Sequence, residues 1–369
     1  MRRKILCLSF VLLLLMTLTR FPLSQNEAFA ASTLSKDVTI LGPNGEDTTI
    51  EKVTYSDSFF SDDSSNYGQG PAALSLAFST AAYGSTPSFI ENALSAFGFT
   101  NDSIYDSDSY QASAKEGHDA VGYSFASKKI KVNNKEYTLV AVVIRGTSGD
   151  NEWISNFNIN NSGDNPFVHE GFSLAEKSLL VHLNQYAESL HLNRATTKFL
   201  ITGHSRGAAV ANLLAADLSE TEQLADQSNI YGYTFATPNV AKINENNYPN
   251  IFNGVNPADI ITQIPLEKWG YSKYGVTYSL PEESKIQAES LAASQKLLSD
   301  LESMAPTIQD FYNDNLALIL LHGDFIKKSV TEMHYPATYL YWLDQADPNK
   351  LSEQILEIQL KMIPDKTYA

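Results

Sequence analysis

Cysteine is almost absent from this sequence. Of 369 residues only Cys7 carries a thiol, and it falls in an N-terminal segment expected to be removed. No disulfide, thiolate metal site or thiol nucleophile can be built from the remainder. An exported chain of this kind must be held by its core alone. Basic residues are scarce as well: 26 Lys and Arg face 42 Asp and Glu, a formal charge of −16. Residues 1–30 hold four of the basic residues and one of the acidic ones, which leaves 22 basic against 41 acidic. A surface so acidic repels phosphate backbones and anionic membranes, so nucleic acid is not an expected partner. A second apolar run of membrane-spanning length is missing, and with it any expectation of stable membrane insertion. Internal repeats and low-complexity linkers are missing too. The length suits one large α/β domain or two small ones, and either can bury a sizeable core.

What is present begins with a leader. Arg2, Arg3 and Lys4 precede the mostly apolar stretch Ile5 to Leu18, and Ala28-Phe29-Ala30 supplies a small-residue cleavage pattern. This is the layout of a secretory signal peptide over residues 1–30, cut after Ala30, so the mature chain is expected outside the cell.

The chain is organised around Phe199 to Leu214, FLITGHSRGAAVANLL. Phe199 to Thr202 fits a short buried strand, and the residues after Gly207 are small or apolar with no Pro. Between them stands Gly203-His204-Ser205-Arg206-Gly207. Strand, G-x-S-x-G, helix is the context of a nucleophile elbow, a turn too tight for bulky neighbours on either side of the serine. The helix N-terminus behind it favours negative charge. The motif alone is weak, because Gly and Ser are common residues.

The surrounding pattern supports it. Val38 to Leu41 and Thr48 to Ile50 read as short strands, and 71–98 as helix broken near Gly84 to Pro87. Ala120 to Phe125, Lys129 to Val132 and the β-branched run Tyr137 to Ile144 read as strands. Helix follows from Phe172 to Leu190, then the elbow strand, then strands at Ile230 to Phe235 and Ile251 to Asn256. This β-α-β alternation predicts a mainly parallel sheet. Residues 269–280, WGYSKYGVTYSL, read as an aromatic hairpin. Helices are expected over 282–304, Ala337 to Leu343 and Leu351 to Met362.

A serine hydroxyl needs a base, and the base needs an orienting carboxylate. In an elbow fold the expected chain order is Ser, then Asp or Glu, then His. Asp259 follows an apolar strand, where a carboxylate would reach the sheet's C-terminal edge. Two histidines follow Ser205: His322 and His334. His169 reads as a structural polar contact, and the side chains of His204 and Arg206 as packing and surface groups.

Five ordered motifs together resemble the class 3 lipases, the family of fungal triacylglycerol lipases and feruloyl esterases. They are VVIRGTSGDNEWISNF from Val142, VHEGF from Val168, GHSRG from Gly203, TFATPNV from Thr234 and NPADIITQIP from Asn256. MHYPATYLYWL, from Met333, is similar to the family's late His followed by Tyr, which gives the base role to His334. The resemblance covers residues 118–345 and leaves 31–117 as an N-terminal extension. It implies an α/β-hydrolase fold, a mainly parallel central sheet flanked by helices, with a helical N-terminal extension in one domain over 31–369. It implies Ser205, Asp259 and His334 as a catalytic triad, and the backbone N–H groups of Thr147 and Arg206 as an oxyanion hole. It also implies a lid bearing Trp153, Ile154 and Phe157 over an apolar cleft. The chemistry implied is hydrolysis of a lipid or small ester, acylglycerols first, at an oil–water interface and with no metal or organic cofactor. A phospholipase or aryl (feruloyl-type) esterase stays open. So does a reading of another class, a non-catalytic exported binding protein on a hydrolase fold. The sequence departs from the family pattern at Ala236, where Gly is usual, and at Asn239, where Arg is usual.

Overall fold

The structure, a computed structural model, describes residues 33–42, 47–84, 86–100, 121–147, 167–243, 246–313 and 332–362. Residues 33–369 cluster as one compact unit. Its centre is a six-stranded sheet in the order β3-β4-β5-β6-β7-β8. The strands are β3 (Tyr123–Val132), β4 (Lys135–Ile144), β5 (Thr197–His204), β6 (Ile230–Phe235), β7 (Ile251–Val255) and β8 (Val276–Ser279). β3 pairs antiparallel with β4, and each later neighbour is parallel.

The apolar runs have a simple cause: both faces of the sheet are covered. Along β4, Leu139, Ala141 and Val143 join one core, while Val140, Val142 and Ile144 join the other. β5 divides likewise, with Leu200 on the first side and Phe199 and Ile201 on the second. The second side is packed by α3 (Glu170–Ser189) and the elbow helix α4 (Arg206–Thr221). The first side is packed by a two-stranded hairpin, β1 (Leu34–Leu41) with β2 (Thr48–Tyr55), and by α1 (Gln69–Ala81) and α2 (Ser88–Ala96). Two late helices, α7 (Pro336–Asp344) and α8 (Pro348–Met362), complete that layer. Between them and β8 in sequence lie α5 (Ala288–Met304) and α6 (Ile308–Asn313).

α1 reads QGPAALSLAFSTA and is buried on nearly every side. A helix apolar all round belongs inside, and this one lies across β5 and β6. Within it Ser79 Oγ donates to the Ser75 carbonyl at 2.9 Å and meets Thr202 Oγ1 at 2.8 Å, and Thr80 Oγ1 donates to the Leu76 carbonyl at 2.7 Å.

Three sequence expectations change. The N-terminal extension opens with two eight-residue strands where strands of four and three residues were read, so a hairpin precedes its helices α1 and α2. Residues 123–132 form one strand where two were read. Residues 269–280 are not a hairpin. Glu267–Trp269 is a 3-10 turn, Ser272 bridges Ala241, and Val276–Ser279 adds to β7 as a parallel edge strand. Gly270 and Gly275, both at positive φ, turn the chain between separate partners, so the aromatic alternation never folds back on itself. The apolar residues go to different places: Tyr271 to a small core with Leu301, Tyr278 to the main core.

Candidate active site

The elbow forms because its neighbours have no side chains to obstruct it. A Cβ on Gly203 would stand 2.4 Å from the Gly207 carbonyl group, and one on Gly207 would stand 2.2 Å from the Ile144 oxygen. Ser205 between them has φ 59° and ψ −128°, a region that costs a non-glycine residue about 1–3 kcal/mol. Its N–H donates to the Phe235 carbonyl at 3.0 Å, and its own carbonyl accepts from Ala209 N at 3.0 Å as the first bond of α4. Strand on one side and helix on the other hold the strained residue in place.

Asp259 enters from the far end of β7. The turn Asn256-Pro257-Ala258-Asp259 is closed by Asp259 N donating to the Asn256 carbonyl at 2.8 Å and Ala258 N to Asn256 Oδ1 at 3.0 Å. Asp259 then caps the 3-10 turn Ile260–Gln263, its Oδ1 accepting from Ile261 N at 3.1 Å. The carboxylate is fully buried. Its second oxygen accepts from His334 Nδ1 at 2.7 Å and from the Tyr339 hydroxyl at 2.7 Å. Tyr339, on α7, also accepts from Asn256 N at 3.0 Å, so one phenol joins both ends of the acid turn. Burial, and next the charge of Asp259, push that phenol far above its ordinary value, so it stays a donor.

His334 lies just before α7, whose N-cap is Tyr335. Asn256 Nδ2 donates to the Met333 carbonyl at 3.3 Å and ties this segment to the acid turn. The ring's other nitrogen, Nε2, sits 2.7 Å from Ser205 Oγ. A carboxylate can only accept, so Nδ1 carries the proton and Nε2 is left to accept from the serine. The structure thus brings together three side chains that the sequence separates widely. Such a relay can draw a proton from the serine and return it elsewhere.

Thr147 follows β4, whose last residue Ile144 pairs with Gly203 beside the elbow. Arg206 is the first residue of α4. Both stand at the same edge of the sheet as Ser205. Trp153, Ile154 and Phe157 lie outside the described residues, as does His322. His169 is buried and caps α3, its Nδ1 accepting from Phe172 N at 3.4 Å. The flanking side chains were expected partly at the surface, yet His204 and Arg206 are both buried. They are drawn inward because the elbow is covered from both sides. Phe172 of α3 lies under the Arg206 guanidinium, with 5.8 Å to the ring centroid. Tyr83, just past α1, meets His204 Nδ1 at 2.8 Å. Burial and the neighbouring His334 hold the His204 imidazole well below its ordinary value, so it stays neutral beside the relay. Tyr83 and Tyr339 were not assigned roles from sequence. A tyrosine soon after the late histidine was the only signal for Tyr339, and nothing local marked Tyr83.

Among the described residues no group of three or more His, Cys, Asp or Glu converges on a metal position. Among them, too, no helix is long and apolar enough to cross a membrane.

The sheet order and the elbow at the end of β5 define an α/β-hydrolase fold. A model of the family "Lipase (class 3)" matches residues 141–269. A lipase of Rhizomucor miehei is 27% identical over 174 residues, 42% of this chain and 46% of the relative. A secreted mono- and diacylglycerol lipase of Fusarium solani is 30% identical over 105 residues, 27% of this chain and 30% of the relative. The chain therefore spans less than half the length of the curated relatives it matches. The solved Rhizomucor miehei triacylglyceride lipase is 21% identical, with a TM-score of 0.39 over 58% of this chain and 80% of that one.

Proposed function

We propose that this protein is an exported serine ester hydrolase acting on acylglycerols. The observation that supports it is the continuous relay from Ser205 Oγ through His334 to Asp259, each link 2.7 Å long. Ser205 Oγ attacks the ester carbonyl carbon while its proton passes to His334 Nε2. The carbonyl oxygen becomes negative and is received by the backbone N–H groups of Thr147 and Arg206. Such donors act without reorganising, and losing one typically costs about 10²–10³ in rate. The imidazolium gives its proton to the departing alcohol as the C–O bond breaks. Water repeats the sequence: His334 takes its proton as its oxygen bonds to the acyl carbon, the bond to Ser205 Oγ breaks, that oxygen takes the proton back from His334 Nε2, and the free acid leaves. Asp259 holds the imidazole in the Nδ1–H tautomer and offsets its positive charge. Export rests on the leader at 1–30, and acylglycerol substrates on the likeness to the Rhizomucor miehei lipase and the Fusarium solani mono- and diacylglycerol lipase.

Ser205→Ala is expected to lower turnover on the order of 10⁶-fold while leaving the fold intact. A fluorophosphonate probe should label the wild type at Ser205 and the variant nowhere. Substantial esterase activity in the folded variant, or an unlabelled wild type, overturns the reading. A chain-length series of esters, above and below their solubility, then separates acylglycerol hydrolysis from short-chain or aryl ester hydrolysis.

A further inference from the structure

Asn239 stands where the family usually has Arg, and the structure shows a cation reaching that spot from elsewhere. Lys273, three residues past Gly270, extends its Nζ beneath the acid turn. There it donates to Asn239 Oδ1 at 2.6 Å and to the Thr262 carbonyl at 2.6 Å. Both acceptors belong to buried residues. Asn239 passes the connection on, since its Nδ2 donates to the Pro265 carbonyl at 2.7 Å and its N–H to the Ile264 carbonyl at 3.1 Å. Thr262 leads straight to the acid, its Oγ1 donating to the Asp259 carbonyl at 2.7 Å. The turn Ile260–Gln263 and the residues after it are thus fastened from below by one ammonium and one amide.

We propose that Lys273, acting through Asn239 and Thr262, is the positioning residue that sets the orientation of Asp259 and so the aim of His334. The proposal rests on the triad reading above. Three observations carry it. The side chains of Asn239 and Lys273 bond to the carbonyls of Thr262 and Pro265 and to each other, and make no hydrogen bond to His334 or Ser205, so their influence on chemistry passes through the segment that carries Asp259. The carbonyl of Thr262 lies in a segment with no β-sheet partner, so no strand would replace the bond. Charge is also placed with purpose: Asp259 and Glu267 are the acidic groups facing the ammonium. Burial pushes Lys273 down to about 8, while those two carboxylates push it back up. The cation is therefore retained at neutral pH and surrendered just above it. Charge-assisted bonds are roughly twice as strong as neutral ones, so the fastening slackens as that proton leaves.

The test is steady-state kinetics on a soluble ester across pH, with Ser205 labelling rates and melting temperatures. The variants are Lys273→Arg, Lys273→Gln and Lys273→Met in the full chain. Lys273→Met should lower kcat by tens of fold, up to about 10², with KM within twofold, because small misplacements of reacting groups cost that much. Lys273→Gln, which keeps a donor without charge, should fall between it and wild type. Wild-type kcat should decline above pH 8, and Lys273→Arg should retain activity and move that decline upward by more than one unit. A kcat for Lys273→Met within twofold of wild type, or an alkaline limb unmoved in Lys273→Arg, overturns the proposal. Should Lys273→Met fail to fold, the limb in Lys273→Arg and the kcat of Lys273→Gln decide. A wild type that does not label at Ser205 would instead sink the triad reading, which keeps the two failures distinct.

Discussion

The Ser205 side and the Asp259–His334 side of this site are held by different forces. Around Ser205 the constraint is backbone against backbone, with Gly203 on Gly207 and Gly207 on Ile144. Around Asp259 it is polar, with Asn256, Tyr339, Thr262, Asn239 and Lys273 bonding carbonyls and one carboxylate. Packing of that closeness fails abruptly, because a single methyl has nowhere to go. A network of bonds fails by degrees, one donor at a time. The strained residue sits where the constraint is steric, and the group that must stay charged and buried sits where it is polar.

The largest contrast would come from Asp259→Asn, which keeps shape but loses the tautomer. A drop in kcat of about 10⁴, or about 5 kcal/mol of barrier, is expected without loss of folding. A drop under tenfold would mean that the polar half matters less than its geometry implies. Gly203→Ala tests the steric half. Urea unfolding should show a loss of about 3 kcal/mol, and an unchanged midpoint would show that the elbow can spread. Glu176 on α3 probes the back of the elbow helix. Burial, then Asp217 of α4, raise it to about 7 from an ordinary 4.5. The folded chain then holds a proton that the unfolded chain releases at lower pH, so its contribution is full below 4.5 and fades as pH rises through 7. Glu176→Gln should remove that slope and add about 3 kcal/mol at pH 8, read as melting temperature against pH. The smallest effect belongs to Tyr339→Phe. Asp259 keeps His334 and Ile261 N as partners, so a fall in kcat of about tenfold is expected, equivalent to one charged-group hydrogen bond of about 1.5 kcal/mol.

How much of this could be read from sequence follows the same division. The elbow was legible because steric constraint is local: five contiguous residues, a strand before and a small-residue helix after. Asp259 and His334 were singled out from family motifs, and their meeting needed the fold. Lys273 could not be found, since nothing near it signals a role and its partners lie on other loops. Ala236 shows the reverse. A departure from the family's Gly was visible, and its reason is a φ of 52°, tolerable for the smallest side chain at about 1 kcal/mol. The supposed hairpin at 269–280 failed because alternation reports which side chains are buried, not which strand lies alongside. β7 had an open edge, and Val276–Ser279 took it.

The contact of α1 with β5 also bears on how the polypeptide comes of age. Ser79 meets Thr202 across 123 positions, and Tyr231 reaches back to the Phe60 carbonyl across 171. An apolar rod that emerges early therefore has no shelter until the middle strands arrive. Bonds between such remote positions make assembly slow, and a nascent or truncated N-terminal fragment would be sticky. Until those strands arrive, that one helix has to be kept from other apolar surfaces.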